Sequence, residues 1–166
     1  TKNTRPSRIN IRTLGCSKNP CDSEALAGQL SGQGLSVAHE GPGEIVVINT
    51  CGFIGDAKEQ SIDVILEQAE RKRRGEIQRL YVTGCLVQRY QEELVAELPE
   101  VDGFYNLSQL RELLSALGAD YRTSLVGERL LSTPSHYAYL KISEGCDRSC
   151  SYCAIPMIRG RHISVP

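Results

Sequence analysis

Ile45-Val46-Val47-Ile48 is an unbroken run of β-branched residues with no polar alternation. A strand with one wet face alternates, whereas one covered on both faces reads as a continuous apolar run, the habit of parallel sheets packed between helices. The run stops at Asn49-Thr50-Cys51. Around it, strand patterns and helix patterns take turns. Residues 8–14 alternate as a strand until Gly15 and Cys16 break it. Asp22-Ser23-Glu24 reads as a helix start, with Ala25, Leu26 and Leu30 on the apolar side and Gly32 and Gly34 as the stop. Weak strand character over 35–39 leads to the turn Gly41-Pro42-Gly43. Residues 57–74 predict a long helix, with Ile62, Ile65, Leu66 and Ala69 at helical spacing. Strand 80–83, helix 91–98, a short strand at 101–105 and a helix over 109–117 capped by Ser108 and ended by Gly118 complete the first unit.

Such alternation implies an α/β fold with a parallel sheet, flavodoxin- or Rossmann-like, over residues 1–134. Residues 119–135 read as a connection, and 137–142 (Tyr137-Ala138-Tyr139-Leu140-Lys141-Ile142) as the strand opening a second unit, 135–166. Three cysteines fall where the strands stop: Leu14-Gly15-Cys16, Asn49-Thr50-Cys51 and Thr83-Gly84-Cys85. All strand C-termini of a parallel sheet share one edge, the edge where open α/β folds bind ligands. Cysteines 35 and 34 residues apart are thereby expected to converge on one rim.

Three more lie in Cys146-Asp147-Arg148-Ser149-Cys150-Ser151-Tyr152-Cys153, a CxxxCxxC spacing that points three thiolates at one centre. Iron–sulfur clusters take thiolate ligands, usually four. Here Ala154-Ile155-Pro156 offers no fourth, and His162 lies nine residues past Cys153, outside usual ligand spacings. Three ligands leave one iron open, as in catalytic rather than structural metal sites. A zinc knot is the competing reading, and the missing fourth ligand weighs against it.

With no apolar run near the ~20 residues of a membrane span, and no signal-peptide core at residues 1–6, the chain is expected to be cytoplasmic. Seven cysteines there, an odd number, point to metal or catalysis and away from disulfides. A net charge of −1 gives no reason to expect a nucleic-acid partner. The cations Arg71-Lys72-Arg73-Arg74 read either as an RNA patch or, preferably, as a solvated helix end complementing the macrodipole. Cys21 is either a spare ligand, in the Cys16-x₄-Cys21 spacing of ferredoxins, or a small buried hydrophobe, the commoner fate of free cysteine. Asp22-Ser23-Glu24 is accounted for by capping and dipole terms. His39 and His136 carry no spacing signal.

The stretch from Leu140 through Gly145-Cys146 to Cys153 and Ala154-Ile155-Pro156 resembles the cluster loop of radical S-adenosylmethionine enzymes. The forms Leu14-Gly15-Cys16 with Lys18-Asn19 and Asp22-Ser23-Glu24, Asn49-Thr50-Cys51-Gly52-Phe53-Ile54 with Ala57-Lys58-Glu59 and Ser61-Ile62, and Gly84-Cys85-Leu86 resemble the N-terminal domain of methylthiotransferases. Within that family, Lys18-Asn19 and Cys51-Gly52-Phe53-Ile54 are more similar to the ribosomal-protein branch than to the tRNA branch.

The resemblance implies two 4Fe–4S clusters: an auxiliary one on Cys16, Cys51 and Cys85, and a radical one on Cys146, Cys150 and Cys153 that binds S-adenosyl-L-methionine, with Tyr152 near its adenine. It implies radical removal of a hydrogen atom from the β-carbon of an aspartate in a small-subunit ribosomal protein, then delivery of a methylthio group. An electron donor such as flavodoxin or ferredoxin is implied as partner. The chain is expected to stop where the barrel has barely begun, and to be inactive alone. A tRNA adenosine substrate, a non-catalytic electron-transfer module and a zinc-stapled scaffold are the alternatives.

Overall fold

The computed structural model describes residues 7–164; the expectation for residues 1–6 lies outside them. Five parallel strands form one sheet in the order β2-β1-β3-β4-β5: β1 Ile9–Thr13, β2 Val37–His39, β3 Ile45–Thr50, β4 Arg79–Gly84 and β5 Gly103–Tyr105. Four helices connect or follow them: α1 Lys18–Ser31, α2 Gly55–Arg73, α3 Cys85–Glu97 and α4 Leu110–Ala116. The expected α/β fold with a parallel sheet is the observed one.

Successive residues of a strand face opposite sides, and β3 uses both. Val46 and Ile48 pack with Leu80 and Val82 against Ile65 and Ala69 of α2 and Leu86, Val87 and Leu94 of α3. Val47 joins Ile9, Ile11 and Tyr81 against Leu26, Ala27 and Leu30 of α1 and Leu113 and Leu114 of α4. Each fully buried Val, Leu or Ile contributes roughly 1.5–3 kcal/mol relative to exposure, so the two cores lock β1, β3 and β4 side by side. Among the described residues no helix is long and apolar enough to cross a membrane.

Residues 119–132 are strapped along α1. Gln29 donates from Nε2 to the Arg122 carbonyl at 3.0 Å and accepts the Arg122 N–H at 3.0 Å. Gln33 repeats the reciprocal pair with Asp120, at 2.6 and 3.0 Å. The Glu24 carboxylate, fully buried, accepts the N–H and hydroxyl of Ser132 at 2.8 and 2.7 Å and pairs with Arg129. Past a 3₁₀ turn at Thr123–Leu125 and this strap, β6 (Ser143–Glu144) pairs antiparallel with β7 (Ile163–Ser164), and α5 (Ile155–Arg159) lies between them in sequence.

Several expectations are corrected here. Helix α1 begins at Lys18, four residues before Asp22: Pro20 sits in its first turn, where a missing N–H costs nothing, so Asp22-Ser23-Glu24 are interior and cap nothing. Helix α3 begins at Cys85, and non-helical angles at Tyr90 separate it from the predicted portion. Ser108 bonds Asn106 Oδ1 at 2.7 Å and caps no helix. Residues 137–142 carry no strand pairing among the described residues, because in this part of the chain only 143–144 finds a partner. The cations of 71–74 are all ion-paired, with Glu76, Asp102, Glu70 and Glu100, as a solvated helix end requires.

Burial alone would raise the Glu24 carboxyl, but the Ser132 hydrogen bonds and Arg129 outweigh it and hold it below its usual range. A carboxyl depressed in the folded state stabilises fully above its unfolded value, about 4.3, and that stability is lost as pH falls through the lower folded value. Glu24→Gln is expected to cost about 2 kcal/mol at neutral pH and to flatten the acid limb of a urea-denaturation series. Parallel acid limbs in the two proteins would rule this account out.

Candidate metal centre

Register places the first three cysteines. Asn49 pairs with Thr13 on one side and Thr83 on the other, and Thr50 pairs with Gly84. Cys51 and Cys85 therefore leave adjacent strands at the same level, and Cys16 follows three residues after the end of β1, the strand on the other side of β3. Cys51 and Cys85 are buried and Cys16 is exposed, so the group opens outward. Burial is the largest influence on Cys85 and pushes its thiol up; Arg159 pulls it down, and thiolate charge on Cys51 and Cys16 pushes it up again. All seven cysteines are free.

The backbone is shaped to bring them this close. Gly15, at φ +89°, runs so near Cys51 that a Cβ there would stand 2.8 Å from the Cys51 sulfur. Gly84 adopts φ 104° and ψ −163°, a region open only to glycine, and a Cβ would lie 2.5 Å from Asn49 Oδ1. Ser61, fully buried, accepts the Cys51 N–H at 3.1 Å and donates to the Ala57 carbonyl at 2.8 Å. Asn19 stitches the rim: its Nδ2 donates to the carbonyls of Leu14 at 2.6 Å and Thr50 at 3.0 Å. Asn49 Nδ2 donates to the Asn19 carbonyl at 3.0 Å and to Ser23 Oγ at 2.9 Å.

Among the described residues no three Cys, His, Asp or Glu side chains stand close enough to hold a single metal ion. A cluster binds each thiolate through its own iron, so its ligands need not meet at one atom. A donor set of thiols alone is the soft set that iron–sulfur clusters select. Cys16, Cys51 and Cys85 fit such a group by chemistry and by their shared rim.

The second triad lies on the loop between β6 and β7. The Cys146 N–H bonds the Gly160 carbonyl at 3.0 Å, the His162 N–H bonds Asp147 Oδ1 at 3.0 Å, and the Cys153 N–H bonds the Cys150 carbonyl at 3.1 Å. Cys146 and Cys153 are half-buried, Cys150 is exposed, and Tyr152 is 89% exposed. Cys21 is buried, its sulfur 3.7 Å from the Tyr139 carbonyl and 3.6 Å from Arg129, and burial pushes its thiol up. It behaves as the small buried hydrophobe and faces the connection.

A charged cluster joins the loop to the rim. Arg159, with its side chain 1% exposed, bonds Asp22 and Glu144 through Nη1 at 3.0 Å each and Asn19 Oδ1 through Nη2 at 2.8 Å. Lys141 bonds Asp22 at 2.6 Å and pairs with Glu144. Burial would raise Glu144, but Lys141 and Arg159 prevail and hold it below its usual range. The same carboxylates, with Cys85 beside Arg159, keep both cations charged against burial.

Residues 8–106 match the family described as "Uncharacterized protein family UPF0004". The chain belongs to this family. It is 57% identical over 164 residues to the ribosomal protein uS12 methylthiotransferase RimO of Flavobacterium psychrophilum, covering 99% of this chain and 38% of that protein. Against the protein of the same name from Bacteroides thetaiotaomicron it is 63% identical over 160 residues, 95% of this chain and 37% of the relative. The chain thus spans 37–38% of the length of these relatives. Their names bear out the resemblance to methylthiotransferases.

Sequence reading found the thiols of this family member and, through the resemblance, the segments that carry Asn19, Asn49 and Ser61, but gave these residues no role: Asn49 read as the polar stop of an apolar run and Asp22 as part of a helix start. Arg159 gave no signal, because two of its partners lie 137 and 140 residues away. Gly84→Ala is expected to cost about 1–3 kcal/mol from backbone strain and to lower the thermal midpoint, read by circular dichroism. An unchanged midpoint would mean the strand end does not need its glycine.

Proposed function

We propose that this chain is the cluster-carrying N-terminal part of a methylthiotransferase that adds a methylthio group to the β-carbon of an aspartate in ribosomal protein uS12. What carries the reading is the placement of Cys16, Cys51 and Cys85 just past the C-terminal ends of three adjacent parallel strands, with the loop of the second triad tied to the same rim through Arg159. The names of the relatives support the substrate.

Cys16, Cys51 and Cys85 would hold an auxiliary 4Fe–4S cluster, and Cys146, Cys150 and Cys153 a second one. When bound, the clusters and S-adenosyl-L-methionine supply radical cleavage of an unactivated C–H bond and the sulfur to be transferred. The chain's own contribution is placement. Asn19, Asn49 and Ser61 fix the backbone at the rim, Gly15 and Gly84 let it approach, and Tyr152 offers a ring beside Cys150 and Cys153 for the adenine. An electron donor such as flavodoxin or ferredoxin is the expected redox partner. The cytoplasm is where both that partner and the ribosomal substrate are met.

Anaerobic reconstitution is expected to load about eight irons per chain, four per cluster, falling by about half in Cys16→Ala and in Cys146→Ala. Zinc in place of iron and acid-labile sulfide would refute the cluster assignment. In cells lacking the full-length gene, uS12 is expected to lose the mass of one methylthio group while tRNA keeps its modifications. The reverse result would move this chain to the tRNA branch.

A further inference from the structure

The guanidinium of Arg159 is a buried contact that reaches from the second cysteine loop to the rim of the first. It is the last residue of α5, six residues past Cys153, yet its partners Asn19 and Asp22 lie on α1 and Glu144 on β6. A buried cation must be paired, and this one is paired across both units. Three cations meet two carboxylates here: Lys18 stands 3.8 Å from Glu144, Lys141 bonds Asp22 and Glu144, and Arg159 bonds both.

A buried ionic cluster is a weak device for stability, since apolar replacements of similar volume are often neutral or stabilising. It is a strong device for position. The planar fork of arginine binds several acceptors in fixed directions, which a lysine ammonium cannot reproduce.

We propose that Arg159 is a positioning residue that, through Asn19 and Asp22 on α1, fixes the second cysteine loop relative to the rim that carries the first triad. It deepens the proposed function and rests on it. One side chain then sets the spacing between the two triads.

The test uses the full-length protein, reconstituted anaerobically, as Arg159→Met and Arg159→Lys. Both variants are expected to load the same iron as the unsubstituted protein. With both clusters present, the magnetic interaction between them, read by electron paramagnetic resonance, should weaken or broaden in both variants, since neither restores the fork. An interaction unchanged from the unsubstituted protein would overturn the proposal even if activity fell. Should Arg159→Met fail to fold, the spectrum of Arg159→Lys decides alone: broadened interaction supports, unchanged overturns. Absence of iron on the first triad of the unsubstituted protein would overturn the proposed function, and this inference with it.

Discussion

The parallel register of β1, β3 and β4 is the constraint on which the molecule depends. Burying Val46 and Ile48 on one face and Val47 on the other leaves β3 no freedom to slip, because a one-residue shift would exchange the two faces. That fixed register decides where each strand ends, and therefore where Cys51 and Cys85 emerge. The apolar layers thus do the metric work for a polar edge they do not touch.

A second level of order is carried by amides. Asn19 reaches the carbonyls of Leu14 and Thr50 at the C-terminal ends of β1 and β3, and Asn49 reaches the Asn19 carbonyl in the first turn of α1. Asn49 keeps one buried oxygen without a partner, pressed towards the backbone at Gly84. Tolerating an orphaned acceptor costs on the order of 1–3 kcal/mol. Stability here is traded for a closely drawn turn into α3.

How much of this could be read from the sequence depends on the range of each interaction. The strands of the sheet, its parallel sense and the placement of three cysteines at strand ends were legible because periodicity and strand ends are local; the strand order was not, because it depends on which strands pair. The start of α1 was misread because Asp22-Ser23-Glu24 has the composition of a cap, while its partners Lys141, Arg159, Arg129 and Ser132 lie more than 100 residues away. The start of α3 was hidden because Gly84 looks like a breaker and acts as a hinge with a positive φ. Residues 137–142 have strand composition, but composition cannot supply the neighbour a strand needs. Cys21 was legible as a buried thiol; its contacts with Tyr139 and Arg129 were not.

The strap along α1 has a consequence for how its sequence can drift. Gln29 and Gln33 grip the main chain at residues 120 and 122 and ignore what projects from it. Substitution of those two side chains therefore leaves the grip intact. Proline is the exception, since it would erase the amide hydrogen each glutamine reads.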